Sequence, residues 1–173
     1  MPGMQDPHFA RTVSLICQHD AQGAMGLVLN QDSEFNLGEL FDQLDLDCRN
    51  QDLRALPVLS GGPVQSERGF ILHQDGRSWD SSMHLANGLT VTTSRDILQA
   101  LAAGDGPGRF QVLLGYSGWT AGQLEQEIAD NSWLNAPADA EIIFSRPVEQ
   151  RWQASAKSLG IDLSLISGQA GHA

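Results

Sequence analysis

The chain has 173 residues, of which 41% are apolar and 18% are charged, and this composition excludes a wholly disordered protein. Ten lysines and arginines stand against 21 aspartates and glutamates, and the net charge of −11 opposes direct binding to nucleic-acid phosphates. No apolar run approaches the roughly 20 residues of a membrane span, and the N-terminus lacks the regions of a signal peptide. The sequence therefore predicts a cytoplasmic protein without membrane contact.

The first part of the chain predicts a hairpin and then a helix. Residues 12–17 and 24–29 are rich in β-branched and apolar side chains and are interpreted as two strands. Asn36, with Glu39 three positions later, predicts a helix start. The apolar face of that helix consists of Leu37, Leu40, Phe41 and Leu44. The polar stretch 45–56 is interpreted as a loop.

The middle of the chain predicts short strands joined by tight turns. Strands are expected at 57–60, 69–73 and 89–92, with an irregular strand at 79–84. A turn is expected at 61–64. Asn87-Gly88 is the strongest hairpin signal in the chain, because both residues tolerate positive φ.

Strand–helix units follow. Thr93 or Ser94 is expected to cap a helix that ends at Gly104, and a strand should begin at Phe110. Residues 115–118 predict a glycine turn that leads into a helix capped by Thr120 and Gln123. A strand is expected at 141–144, then a last helix from Pro147 to Gly160, and a frayed tail at 167–173.

Early hairpins and late strand–helix units indicate an α+β fold. No linker divides the chain, so residues 1–173 are interpreted as a single domain with a mixed sheet flanked by helices. Cys17 and Cys48 are too few for a disulfide framework and are interpreted as ordinary thiols.

Four segments together resemble the AlgH/YqgE family of bacterial proteins. They are MPGMQDPHF (1–9), GAMGLVLN (23–30), GGPV with RGFILH (61–64 and 68–73), and LGYSGW with GQLE (114–119 and 122–125). The resemblance implies an α+β fold with a bent, barrel-like, mostly antiparallel sheet. It also carries the transcriptional-regulator label of some members, but no catalytic residues.

Two departures from the family pattern stand out. Family members usually carry a strand-like apolar piece ahead of the first segment, so either a strand is missing here or the start is differently placed. Ser117 stands where the family more often has alanine.

Three segments resemble catalytic or ligand motifs, but each also has a structural interpretation. Ser117 lies in a strand–turn–helix context like a nucleophile elbow, but Trp119 occupies the position that requires glycine. Gly61-Gly62 resembles a phosphate loop without the lysine that should follow. His73 and His84 lack the spacing of a zinc site. No catalytic residue, metal or cofactor is therefore predicted.

Arg68 and Arg95 are better candidates for contacts with a ligand or partner. Arg95 lies at a helix start, where a cation is unfavourable to the helix dipole. Each arginine is expected to pair with a carboxylate, such as Glu67 or Asp96, or to hold an anionic ligand. The candidate contacts for a ligand or partner are Arg68, His73, Arg95, Tyr116, Ser117 and Trp119.

Three functions follow from these observations. The first is a non-enzymatic regulatory or protein-binding module, favoured by the acidic charge, the absent catalytic motif and the aromatics near Trp119 and Trp133. The second is a small-molecule binder or enzyme with a pocket near Arg68, His73 and Ser117. The third, direct DNA binding, conflicts with the charge. The sequence does not predict the oligomeric state.

Overall fold

A computed structural model describes residues 9–162. The strands are β1 (Ser14–Asp20), β2 (Gly23–Val28), β3 (Asp32–Asn36), β4 (Pro57–Ser60), β5 (Val64–His73), β6 (Ser82–His84), β7 (Thr90–Thr92) and β8 (Phe110–Thr120). The helices are α1 (Leu37–Gln43), α2 (Gln51–Arg54), α3 (Arg95–Ala103), α4 (Gln123–Ala129) and α5 (Arg151–Ser158). None of the helices in this range has the length and apolar composition that a bilayer span requires.

The eight strands form one curled sheet with β8 at its centre. The hydrogen-bonded order is β1-β2-β8-β5-β7-β6, and β4 joins β8 while β3 joins β4. Only the β4–β8 pair is parallel among these ladders. Along one edge, β8 pairs first with β4 at Leu113 and then with β2 at Ser117, and this change of neighbour curls the sheet. The predicted α+β fold with a mixed, mostly antiparallel sheet is confirmed.

Both faces of the sheet are buried. Alternate residues of β5 and β8 point to opposite faces, so that Leu72 and Leu113 join one core and Ile71 and Val112 join the other. Residue Ile143, in the chain between α4 and α5, covers the first core. Residues of α1 and α3 cover the second, among them Phe41 and Ile97.

Several local predictions are confirmed. Residues 14–20 and 23–28 form the first hairpin, and Asn87 and Gly88 have φ of 63° and 74° in the turn between β6 and β7. Asn36 caps α1 in a reciprocal capping box with Glu39. Gly104 ends α3 with φ of 83°.

The predicted turn at 115–118 is wrong, because β8 continues unbroken to Thr120. Gly115, at φ of 74°, bends the strand without ending it. The bend lies beside Gly61, whose amide donates to the Leu114 carbonyl and whose carbonyl accepts from Val28. The two chain segments approach so closely that β-carbons at Gly61, Gly62 or Gly115 would overlap the facing backbone. Glycine is therefore needed here for close approach rather than for a turn.

Four further boundaries differ from the prediction. The expected strand at 141–144 is a π-helical turn, Glu141–Ser145. Strand β3 was not predicted, and the expected loop 45–56 contains α2. Strand β5 begins at Val64 rather than Gly69 and carries an irregularity between these two residues. The predicted tail at 167–173 lies outside the described residues.

Candidate functional site

A cleft of about 550 Å³ opens between the start of β8 and the turn that precedes α5. We call it the arginine cleft. Three arginines line it, Arg109, Arg146 and Arg151, and the remaining lining residues are Asp32, Leu37, Leu56, Pro57, Gly108, Phe110, Gln111, Val112, Phe144, Ser145, Pro147, Val148 and Glu149. Its volume falls within the range of roughly 300–1,000 Å³ typical of small-molecule sites.

Residues 144–149, which form the wall of the cleft opposite the start of β8, are fixed by apolar and ionic contacts. Phe144 and Val148 pack against the first core. Arg109 forms an ion pair with Glu141, and this hydrogen bond lowers the pKa of the Glu141 carboxyl. The Arg146 amide also donates to the Glu141 carbonyl. The ion pair with Arg109 therefore connects this wall to the start of β8, and the packing of Phe144 and Val148 connects it to the first core.

Arg151 is the buried cation of the cleft. Only 4% of the residue is exposed, although it is an arginine at the first position of α5. Its Nη1 donates to the Leu29 carbonyl at 2.7 Å and its Nε to the Arg146 carbonyl at 3.1 Å. Burial lowers the pKa of the guanidinium, and the charges of Asp32 and Glu149 partly offset this effect. The group remains protonated, as arginine does in proteins.

Within residues 9–162, the buried charge of Arg151 has no direct counter-ion. Among the described residues, no carboxylate oxygen lies within 4.0 Å of its guanidinium. A buried charge is normally paired, since removing it from water is costly. The site can therefore accept an anion.

Sequence reasoning missed this site. Nothing in the sequence places Arg109 beside Arg146, and residues 141–144 are predicted as a strand rather than as the helical turn that the structure has. In the predicted last helix, Arg151 follows the apolar Val148 by three residues, so the two share one helix face. An arginine at such a position usually keeps its charged end in water, so this spacing does not by itself indicate a buried cation.

His73 lies in a second polar feature, a buried chain of hydrogen bonds across β5, β7 and β6. His73 Nδ1 lies 2.8 Å from Asp75 Oδ1, and His73 Nε2 lies 2.8 Å from Thr92 Oγ1. Thr92 Oγ1 in turn lies 2.8 Å from Ser82 Oγ, and Arg77 Nε donates to Asp75 Oδ2 at 2.7 Å. His73 and Thr92 are fully buried, so the chain holds the 74–81 loop against the sheet rather than meeting a substrate.

Arg68 and Arg95 do not form the expected ion pairs within the described residues. Arg68 is exposed, donates to Gln65 Oε1 at 3.4 Å and lies over the Phe70 ring at 5.3 Å. The Arg95 guanidinium donates to the Leu44 carbonyl instead of a carboxylate. Neither side chain lines the arginine cleft.

The structure does not bring Arg68, His73 and Ser117 into one pocket. In the β5–β8 ladder, His73 is opposite Phe110, at the beginning of β8, whereas Ser117 lies near its end. Ser117 is instead opposite Gly26 of β2. At roughly 3.3 Å per strand residue, the two lie far apart along the strand.

Ser117 is fully buried, and its hydroxyl has no hydrogen-bond partner among the described residues. An unsatisfied buried hydroxyl costs about 1–3 kcal/mol. We therefore expect Ser117→Ala to leave the protein as stable or to stabilise it by about 1 kcal/mol, measured by urea unfolding. Ser82→Ala is the matched control and should destabilise, because the Ser82 hydroxyl is bonded to Thr92 and accepts from the Trp79 amide. An equal loss of unfolding free energy in both variants would show that the Ser117 hydroxyl has a hydrogen-bond partner.

The aromatic side chains near α4 are paired with one another. The Trp119 and Trp133 rings meet edge to face at 6.0 Å, and Phe9 packs against both. Both indole nitrogens donate to Glu127 Oε2, at 2.9 and 2.8 Å. Tyr116 packs on Phe70 at 5.8 Å. The aromatics near Trp119 and Trp133 therefore contact one another, and their contact with a protein partner stays a prediction.

No group of three potential metal ligands occurs within residues 9–162. Both cysteines are free. Burial raises the pKa of the Cys17 thiol to about 12, which makes it a poor nucleophile at neutral pH.

Known proteins resemble this chain along its whole length. The AlgH-like family model, DUF179, matches residues 1–164. A UPF0301 protein of Stenotrophomonas maltophilia is 54% identical over 172 residues, covering 99% of this chain and 92% of the relative. A UPF0301 protein of Methylococcus capsulatus is 52% identical over 172 residues, with the same coverage of both chains.

Two solved structures share the fold. The solution structure of the AlgH protein from Pseudomonas aeruginosa is 49% identical, with a TM-score of 0.81 over 100% of this chain and 92% of that one. A crystal structure of a Corynebacterium diphtheriae protein is 22% identical, with a TM-score of 0.76 over 96% of this chain and 86% of that one, and it supports the fold alone. By the extent of these matches, the chain belongs to the AlgH-like family.

Proposed function

We propose that this protein is a non-enzymatic regulatory module of the cytoplasm, which acts by binding another protein through the arginine cleft. One observation carries the proposal: the cleft combines arginines with apolar walls, but none of the described residues that line it is a histidine, cysteine or lysine. A catalytic site would need a nucleophile held in contact with a general acid–base group. Asp32 and Glu149 are the acid–base groups of the lining, but no hydrogen bond among the described residues joins either carboxylate to Ser145.

The regulatory part of the proposal is supported by the label of some family members. Direct DNA binding is not part of it, because the net charge of −11 opposes contact with phosphates. In a mobility-shift assay at low salt, we expect no binding to duplex DNA. Tight binding that weakens steeply with added salt would contradict this expectation.

The binding role is tested with purified bait proteins in a lysate of bacteria that express the chain. Wild type and an Arg68→Gln control should retain the same partner, whereas Arg146→Gln should lose it. Arg146 and Arg68 are both exposed, so neither change should affect folding. Turnover of a small molecule in an activity screen, without any partner that depends on the cleft, would overturn the proposal.

A further inference from the structure

We propose that the arginine cleft recognises a single carboxylate carried on an apolar group. The carboxylate could belong to a small organic acid or to the chain end of a protein partner, and the chemistry is the same in both cases. This inference rests on the proposed function, since it names what the same cleft binds.

The first argument is the state of Arg151. Its guanidinium is buried, charged and without an ion-pair partner among the described residues, yet it lines an open cleft. The position also opposes the helix dipole, because Arg151 begins α5. An anion placed against Arg151 would reduce both the cost of the unpaired buried charge and the repulsion by the helix dipole.

The second argument is the geometry of the free donors. Nη1 and Nε of Arg151 are engaged by the Leu29 and Arg146 carbonyls, and these two bonds fix the plane of the group. Nη2 has no hydrogen-bond partner among the described residues, and the same holds for the side chain of Arg146. Both residues line the cleft, where Arg151 is a donor group with a fixed plane and Arg146 is an adaptable one, and such donors suit the two oxygens of a carboxylate.

The third argument is the apolar surface beside the cations. Phe110, Phe144 and Leu56 line the cleft, and Leu56 is 42% exposed. An apolar group attached to the carboxylate would cover this surface. A hydrophilic anion such as acetate would leave it in water and gain less.

The fourth argument limits the charge of the ligand. Asp32 and Glu149 also line the cleft, and Arg109 is already paired with Glu141. These exposed carboxylates are screened by water and do not cancel the buried charge of Arg151, but they repel additional negative charge. A monoanion is therefore favoured over a phosphate dianion.

The test is an NMR titration in which four probes are added to the ¹⁵N-labelled chain and the amide chemical shifts are measured. The probes are 4-phenylbutyrate as a small acid, N-acetyl-leucine as a chain-end mimic, N-acetyl-leucinamide without a carboxylate, and phenyl phosphate as a dianion. We expect the two carboxylates to shift amides in 108–112 and 144–151, the amide probe to cause no shifts, and phenyl phosphate to bind more weakly. Stronger binding of either carboxylate identifies which source the cleft prefers.

Three variants show whether the carboxylate binds at the cleft or at a cation elsewhere on the surface. Arg146→Gln should weaken carboxylate binding by roughly tenfold, the loss expected of a charge-assisted hydrogen bond. Arg68→Gln should leave it unchanged. Glu149→Gln should strengthen it by about threefold, since it removes a nearby like charge.

Each outcome decides between the two proposals. Failure of both carboxylates to bind, an unchanged affinity in Arg146→Gln, or tighter binding of phenyl phosphate would overturn the carboxylate inference. A protein partner lost in Arg146→Gln would still support the proposed function in those cases. Carboxylate binding without any such partner would overturn the proposed function and leave the inference standing.

Discussion

Gly62→Ala should destabilise the protein by about 3 kcal/mol or more and can prevent folding. Gly62 has φ of 150°, and a β-carbon there would overlap the Tyr116 carbonyl group and lie 2.5 Å from the Ser117 nitrogen. The obstacle is backbone in the central strand of the sheet, which cannot move without breaking the pairing of β8 with β2. Chemical unfolding, or the soluble yield where the variant does not fold, measures the effect.

Gly69→Ala is the matched control. A β-carbon at Gly69 would meet no other described atom within 4 Å, and Gly69 lies inside β5 without a positive φ, seven positions after Gly62. Its free energy of unfolding should stay within about 0.5 kcal/mol of wild type or rise slightly. Wild-type stability in Gly62→Ala would mean that the chain segments at Gly62 and Gly115 are not closely packed.

Asp75→Asn should lower the free energy of unfolding at neutral pH by about 2 kcal/mol. The Asp75 carboxylate accepts hydrogen bonds from Arg77 and from the fully buried His73, and its side chain is only 12% exposed. An asparagine can accept at one of these positions only, so a donor is left without a partner. Urea unfolding of both proteins at neutral pH gives the difference.

The same carboxylate predicts a pH dependence. Burial raises the pKa of Asp75, but hydrogen bonds from Arg77 and His73 outweigh it, so the pKa lies below the ordinary 3.8. A lowered pKa stabilises the folded state above pH 3.8, and the stabilisation is lost as the pH falls through the lower folded-state pKa. The difference between wild type and Asp75→Asn should therefore shrink in acid. Asp80→Asn is the exposed control, and an equal Asp75→Asn difference at pH 3 and pH 7 would contradict this account.

Much of the fold follows from local patterns in the sequence. Asn36 with Glu39, Asn87 with Gly88, and Gly104 each fix a chain end or turn through their own backbone preferences. Such signals depend on a few neighbouring residues and can be interpreted without tertiary structure. The fold class followed from their order.

The errors arose where tertiary contacts override local preference. Gly115 looks like a turn residue, yet it allows β8 to pass close to Gly62, which is distant in sequence. Residues 141–144 have strand composition, but they form a helical turn in which Ile143 is buried and Phe144 is partly buried against the first core.

The arginine cleft could not be predicted from the sequence for the same reason, since it depends on tertiary contacts. Arg109 and Arg151 belong to distant segments, and only the closed fold brings them to one cleft. The six predicted contact residues are distributed over β5, α3 and β8, and none of them lines the arginine cleft.

The central position of β8 also bears on folding during synthesis. Its partner β2 is made early, whereas β8 is complete only when Thr120 has left the ribosome. Until then the hairpins β1–β2 and β6–β7 can form, but β2 keeps an open edge and the apolar residues on both faces of β5 remain exposed. We expect the nascent chain to depend on chaperones over this interval, and fragments that end before β8 to aggregate when expressed alone.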